Sequence, residues 1–205
     1  VVHAGPVRVE VLVEEPSAEV VLKVLLPKIA PEVDFEVFDL GGKASLLARF
    51  PGRVRGYASY AESAGSVVIV LVDRDHDDCL ELKRRLTDVL DREWPGANGR
   101  HALVRIACEE LEAWFFGDVP ALRSAYPRLA PGLAEQARFR DPDAIRGGTG
   151  EALEDLLRRC GYVSERMPKL EVAAAVAPYM NVEENRSVSF CHFRDGVRRL
   201  VRGAA

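Results

Sequence analysis

Six consecutive apolar residues, Val67-Val68-Ile69-Val70-Leu71-Val72, run directly into Asp73-Arg74-Asp75-His76-Asp77-Asp78. A mostly β-branched run of this length leaves no solvent face, so it predicts a strand buried on both sides, as in parallel sheets covered by helices. The carboxyl edge of such a sheet is where crevices open, so acids that close the strand stand at a binding edge. Asp73 and Asp75 are two residues apart and, in a chain extended as far as Asp75, project from one side. Two carboxylates so placed repel each other unless a cation lies between them. Hard divalent ions such as Mg²⁺ take one or two carboxylates together with water and phosphate oxygens.

The rest of the chain alternates around this strand. Residues 7–15 alternate and then end in Glu14-Glu15, a first predicted strand. Ser17 is a good N-cap for a helix with Val20, Val21, Val24, Leu25 and Ile29 on its apolar positions, and Pro27 is placed to kink it. Residues 34–40 predict a second strand, followed by Gly41-Gly42-Lys43 and a helical stretch carrying Leu46, Leu47 and Phe50. That stretch is expected to break at Pro51-Gly52 and resume through Tyr57 and Tyr60. After the aspartates, Cys79, Leu82, Leu86 and Val89 recur at helical spacing up to Trp94-Pro95-Gly96. Residues 101–108 predict a fourth strand and 109–116 a helix. Four β-α units argue for an α/β fold with a mostly parallel four-stranded sheet flanked by helices.

Beyond Asp118 the pattern changes. Residues 119–150 are rich in proline, arginine and glycine with short helical pieces at best, and helices are predicted over 151–160, 170–179 and 194–201. The division expected is an α/β domain over 1–118 and a helical, irregular extension over 119–205 packed on the same domain.

At 205 residues, the chain is long enough for one sizeable core. Its net charge of -4 gives no general attraction to nucleic acid, so any grip on phosphate needs a local basic patch or a bound metal. Cys79, Cys108, Cys160 and Cys191 include no Cys-x-x-Cys pair, and reduced thiols in the cytoplasm are the simplest account. No basic-then-apolar leader and no membrane-length apolar run is seen, so a cytoplasmic location without a membrane partner is expected.

If the first and third strands are parallel neighbours, Glu14 faces Asp73 and Asp75 across one strand spacing, and the three form a metal cradle. This order of motifs resembles the Toprim fold of topoisomerases, primases and nucleases of the overcoming-lysogenization-defect type. That fold carries a glutamate at the end of its first strand and Asp-x-Asp at the end of its third. Here Glu14 takes the first role and Asp73-Arg74-Asp75 the second. The likeness extends to Gly42-Lys43, Glu112-Ala113-Trp114 with Gly117-Asp118, and Ser189-Phe190 with Phe193. Over residues 7 to about 200 the chain resembles a bacterial Toprim-like family of unknown function, often encoded beside an ATPase of the ABC or AAA type in apparent antiviral defence loci. The resemblance implies catalytic roles for Glu14, Asp73 and Asp75, with Mg²⁺ or Mn²⁺ as cofactor. It adds Glu19 as a further ligand, Glu112 as an outer ligand and Lys43 as a phosphate contact. Where the Toprim glutamate is usually followed by glycine, this chain has Glu15, which implies a different turn or an additional acid.

Plainer roles compete for several of these residues. Asp77 and Asp78 suit the first turn of a helix, as does Glu19. Lys43 reads as a solvated helix-start lysine without the family, Asp118 as the N-cap of the segment beginning Val119-Pro120, and Glu109 and Glu110 as a solvated face. Gly147-Gly148-Thr149-Gly150 precedes a helix but lacks a Walker lysine, which leaves a flexible loop. His76 is either a proton-transfer assistant or an exposed turn residue. Ser189, Phe190 and Phe193 are expected to pack, and Arg194, Arg198, Arg199 and Arg202 to form a solvated helix face.

The expected activity is metal-dependent hydrolysis of phosphodiester bonds in DNA or RNA. The alternatives are a latent effector or regulatory subunit on a partner ATPase and, more weakly, an Asp-x-Asp phosphotransferase. Haloacid-dehalogenase-like enzymes carry their aspartates on the first strand, not the third.

Overall fold

The computed structural model describes residues 8–64 and 67–204. The predicted central strand is β3 (Val67–Asp73), buried at every position. It lies in an all-parallel sheet with β1 (Arg8–Val13), β2 (Asp34–Asp39) and β4 (Ala102–Ala107), in the order β2-β1-β3-β4. The α/β class, the four strands and the flanking helices agree with the sequence; Val7, at the start of the first predicted strand, lies outside the described residues.

The strand order places the site. From β1 the chain steps outward to β2, then returns past β1 to build β3 and β4 on the other side. Connections therefore diverge at the carboxyl ends of β1 and β3, and such a switch point opens a crevice. Glu14 follows β1 and Asp73 ends β3, on either side of that point.

Alternation divides the core between the two faces. Val9, Val11, Val13, Ile69 and Leu71 pack under α1 (Pro16–Ile29) and the helices that follow β4. Leu12, Val68, Val70 and Val72 pack under α2 (Lys43–Ala64) and α3 (Cys79–Glu93). Helix α2 does not break at Pro51-Gly52. Leu46, Phe50, Val54 and Tyr57 form one buried stripe against the sheet, and this burial outweighs the hydrogen bond that proline removes. Tyr57 Oη also donates to Glu10 Oε2 at 2.6 Å. Helix α1 continues through Pro27, and its N-cap is Glu15, not Ser17; Ser17 is buried inside the helix and donates to Glu15 Oε1 at 2.8 Å.

After β4 come α4 (Glu112–Gly117), α5 (Val119–Ala125), two short 3-10 turns, α6 (Thr149–Arg159), α7 (Lys169–Val176) and α8 (Val188–Ala204). These share one core with β1, β3 and α1. Helix α8 starts at Val188, six residues before the predicted 194. Its first turn is capped from a distance: Asp143 accepts from Val188 N at 2.5 Å, and Ser187 Oγ accepts from Phe190 N at 3.1 Å. Phe190 and Phe193 pack on Trp114, whose Nε1 donates to Ser189 Oγ at 3.0 Å, so this motif is structural as expected. Among the described residues no helix is long and apolar enough to cross a membrane.

Gly117 is where the α4 end meets the α8 entry. A Cβ there would stand 2.0 Å from Asn185 Oδ1 and 2.8 Å from Ser187 N. Asn185 also donates to Trp114 O at 2.8 Å, so it has little freedom to withdraw. Gly117→Ala is expected to destabilise the chain by about 1–3 kcal/mol, the usual cost of overpacking. Denaturant unfolding measures this, and an unchanged midpoint would refute the packing described.

Candidate functional site

Three carboxylates end up buried at the switch point. Glu14 leaves the end of β1 and its Oε1 accepts from Asp73 N at 2.8 Å. Asp73, in phase with Ile69 and Leu71, lies on the face covered by α1 and the later helices. Glu112 enters from the first turn of α4, with the residue 2% exposed and Oε2 lacking any hydrogen-bond partner. Burial first, then the charges of Glu14, Glu112 and Glu15, hold the Asp73 carboxyl well above its usual range, and Lys169 opposes them. Burial likewise raises Glu14 from 4.5 to about 7, against the Asp73 amide and Lys43. Glu112 is also raised to about 7, chiefly by burial and against Lys169.

Two lysines supply the counter-charge. Lys169 opens α7, and its Nζ stands 3.2 Å from Glu110, 3.6 Å from Glu112 and 4.0 Å from Glu15. Lys43 opens α2 after Gly41 (φ 77°) and Gly42 (φ 98°), a left-handed pair that glycine adopts without strain. That turn brings Gly42 N to Glu14 O at 2.5 Å and Lys43 Nζ to Asp75, to Asp77 at 3.0 Å and to Arg74 O at 3.2 Å.

The sequence expectation for Asp75 is corrected. β3 ends at Asp73 and Asp75 takes φ 50°, so the chain turns instead of remaining extended. Asp75 is exposed and held by Lys43. Lys43 is therefore engaged with carboxylates, not left solvated. Glu19 pairs with Lys23 one turn along α1. Asp78 is the N-cap of α3, accepting from Glu81 N at 2.8 Å, whereas Asp77 joins Lys43. Asp118 caps α5 through Ala121 N at 3.0 Å, and His76 is exposed.

Glu109 and Glu110 do not form a solvated face. Glu109 has φ 61°, pairs with Arg74 at 3.2 Å and keeps a buried, unpartnered Oε2. Glu110 Oε2 accepts from Gly150 N at 2.7 Å, so the start of α6 already holds an anion supplied by the chain itself. Sequence reasoning missed Glu110 and Lys169 as site residues. Their partners are 40 and 59 residues away, and no local pattern marks them.

A cleft of about 560 Å³ opens beside this cluster, lined in part by Arg74, Asp75, His76, Glu110, Gly148 and Glu151. Its size suits a small ligand or a segment of a larger one. Asp75, Asp77, Glu109 and Glu110 line the cleft, whereas the buried Glu14, Asp73 and Glu112 do not. Among the described residues no three His, Cys, Asp or Glu side chains are gathered so as to hold a metal ion. The donor chemistry nevertheless fits a hard divalent cation: buried carboxylate oxygens, one of them unpartnered, compensated by ammonium groups that a cation can replace.

The chain matches the family model described as Domain of unknown function (DUF4276) over residues 13–200, and it belongs to that family. No curated protein and no solved structure matches it.

Because Glu14 and Glu112 have raised values in the fold, the native chain keeps protons that the unfolded chain releases. Their stabilisation is fully present below about pH 4.5 and is lost as pH rises through about 7, each carboxyl contributing on the order of 3 kcal/mol. Thermal melts in chelator are expected to show Tm falling across this window, with a shallower fall in Glu112→Gln. Mg²⁺ or Mn²⁺ at neutral pH is expected to restore Tm. A Tm that rises from about pH 5 to 7 would contradict the burial of these acids.

Proposed function

We propose that this chain is a metal-dependent phosphodiesterase acting on nucleic acid, a nuclease with a Toprim-type Glu...Asp-x-Asp site. One observation carries the reading: the buried, mutually repelling set of Glu14, Asp73 and Glu112 at the switch point of a parallel sheet, with an unpartnered Glu112 oxygen. Burying carboxylates this way is costly and adds nothing to packing, so a ligand that needs them is the physical reason to keep them.

Glu14, Asp73 and Asp75 would hold Mg²⁺ or Mn²⁺, with Glu112 as the outer ligand; Glu19, paired with Lys23, is not retained in this set. Such a cation, when bound, orients a phosphate, lowers the pKa of a water and stabilises charge on a leaving oxygen. Of the chain's own groups, Asp75 is paired with Lys43 and would become available to such an ion if Lys43 let go. Lys43, once released, stands at the helix start where a phosphate oxygen would be received. Asp73 and Glu14, fixed through the Asp73 amide, set the floor of the site.

The lysine contacts favour a second reading as well. With Lys43 on Asp75 and Lys169 on Glu112, two of the carboxylates are already compensated by the chain's own ammonium groups. A latent effector of this kind becomes competent when a partner, such as an ABC- or AAA-type ATPase, shifts α7 or the turn before α2.

The test is cleavage of labelled single- and double-stranded DNA and RNA with Mg²⁺, Mn²⁺ or chelator, with Asp73→Ala alongside. Metal-dependent cutting that falls by about 10³-fold or more in the variant is expected, since losing a principal ligand removes most of the charge stabilisation. Equal cutting by Asp73→Ala would sink the assignment. Metal binding without cutting would favour the latent effector.

A further inference from the structure

On the other side of the β4 carboxyl end lies a second cleft, of about 380 Å³, that the carboxylate site does not use. Its walls include Lys83 from α3, Arg105 from β4, and His192 and Arg199 from α8, with Cys79 and Cys108 between them. In a chain of net charge -4, this is a concentration of cationic side chains. Among the described residues none of Lys83, Arg105 and Arg199 forms an ion pair, although neighbouring Arg84, Arg194 and Arg198 all do.

Arg105 is the fixed member. Its Nε donates to His192 O at 3.0 Å and its Nη1 to Val104 O at 2.8 Å, so carbonyls and not carboxylates hold it. Gly196 makes room for it, because a Cβ there would stand 2.5 Å from Arg105 Nη2. Burial, and then the charge of Arg199, lowers the Arg105 pKa, the signature of a guanidinium with an uncompensated charge. Lys83, His192 and Arg199 are exposed around it, with His192 and Arg199 two helical turns apart on one face of α8.

The acids near the cleft are otherwise engaged. Asp143, whose charge acts on Cys108, accepts from Ser187 Oγ at 2.8 Å, Ser189 Oγ at 2.7 Å and the first amides of α8. Asp195, which feels Arg199, is paired with Arg194 at 2.8 Å. Neither is free to neutralise the cleft.

We propose that the cleft between α3, β4 and α8 is an anion site that grips the sugar-phosphate backbone of a nucleic-acid strand. The polymer assignment rests on the nuclease reading above, whereas the phosphate chemistry rests on the cleft alone. The fixed Arg105 guanidinium beside the exposed Lys83 ammonium and Arg199 guanidinium suits phosphate oxygens. Among the described residues the lining holds no Phe, Tyr or Trp on which a base would stack, so it suits a repeating backbone better than a nucleoside. The position fits as well. Cys79 follows the α3 cap and Cys108 precedes Glu109, so the cleft adjoins the loops that carry Asp75 and Glu110. A strand gripped here is directed toward the carboxylate edge, and the basic cleft supplies the attraction that the chain as a whole lacks.

The experiment is fluorescence anisotropy of short labelled DNA and RNA strands with the full chain in chelator, so that binding is read without cleavage. Lys83→Glu with Arg199→Glu changes two exposed side chains, and an unchanged Tm verifies the fold. Affinity at about 50 mM salt is expected to fall at least tenfold, and the slope of log affinity against log salt to flatten by about 1.4, two phosphate contacts' worth for a single strand. No binding by the wild-type chain, or equal binding and slope in the variant, would overturn the proposal. Orthophosphate competing as well as unlabelled strand, phosphate for phosphate, would overturn the backbone assignment in favour of a free-phosphate site. Because no metal is present, failure here leaves the cleavage assay standing, and failure of that assay leaves this binding intact.

Discussion

Repulsion among buried carboxylates at the ends of β1 and β3 shapes everything around them. Glu14, Glu15, Asp73, Glu110 and Glu112 act on one another with Lys169 as the cation in their midst. Desolvation makes each charge costly, and proximity makes the second costlier than the first. The raised values of Glu14 and Glu112 record that cost as retained protons. Such a group is settled by protons or by nearby positive charge, and here Lys169 and Lys43 supply the latter.

The sheet was legible in the sequence because its determinants are local. A β-branched run with no polar break has one burial pattern available to it, and the alternation of residues 34–39 is equally plain. Glu14 and Asp73 were legible for the same reason, since each follows directly from the end of its strand. Asp75 was not, because two-residue spacing implies a shared face only while the chain stays extended, and a left-handed residue ends that at once. Pro51 misled in the opposite direction: a local breaker was outvoted by the tertiary stripe of Leu46, Phe50, Val54 and Tyr57. The early start of α8 was hidden too, because its cap, Asp143, lies 45 residues upstream of Val188.

Glu15, directly after Glu14, is both a turn residue and an additional acid. It is the extended N-cap of α1, bonded to Ser17, and it also adds a negative charge toward Lys169. A glycine there would leave Lys169 with Glu110 and Glu112 alone. The third acid acting on Asp73 and the lysine that answers it are thus parts of one arrangement.

Lys169 also gives the C-terminal extension a role beyond covering the sheet. It stands at the first residue of α7, and the far end of that helical segment is tied to α1: Lys28 Nζ donates to Pro178 O at 2.8 Å and to Met180 O at 3.0 Å. One residue further on, Asn181 N donates to Asp118 Oδ2 at 2.6 Å, the same carboxylate that caps α5. Helix α7 is therefore anchored at its C-terminal end by backbone contacts and at its N-terminal end by charge. The segment ending at Pro168 leads into this charged start of α7. That segment reaches back through Met167, whose amide donates to Glu154 at 2.8 Å, to α6 and thus to the loop of Gly147 and Gly148 on the rim of the larger cleft. Lys169 at the carboxylates and Met167 bonded to α6 thus join the buried acids to the rim of the larger cleft by a short run of contacts, which is how an element so distant in sequence comes to stand beside them.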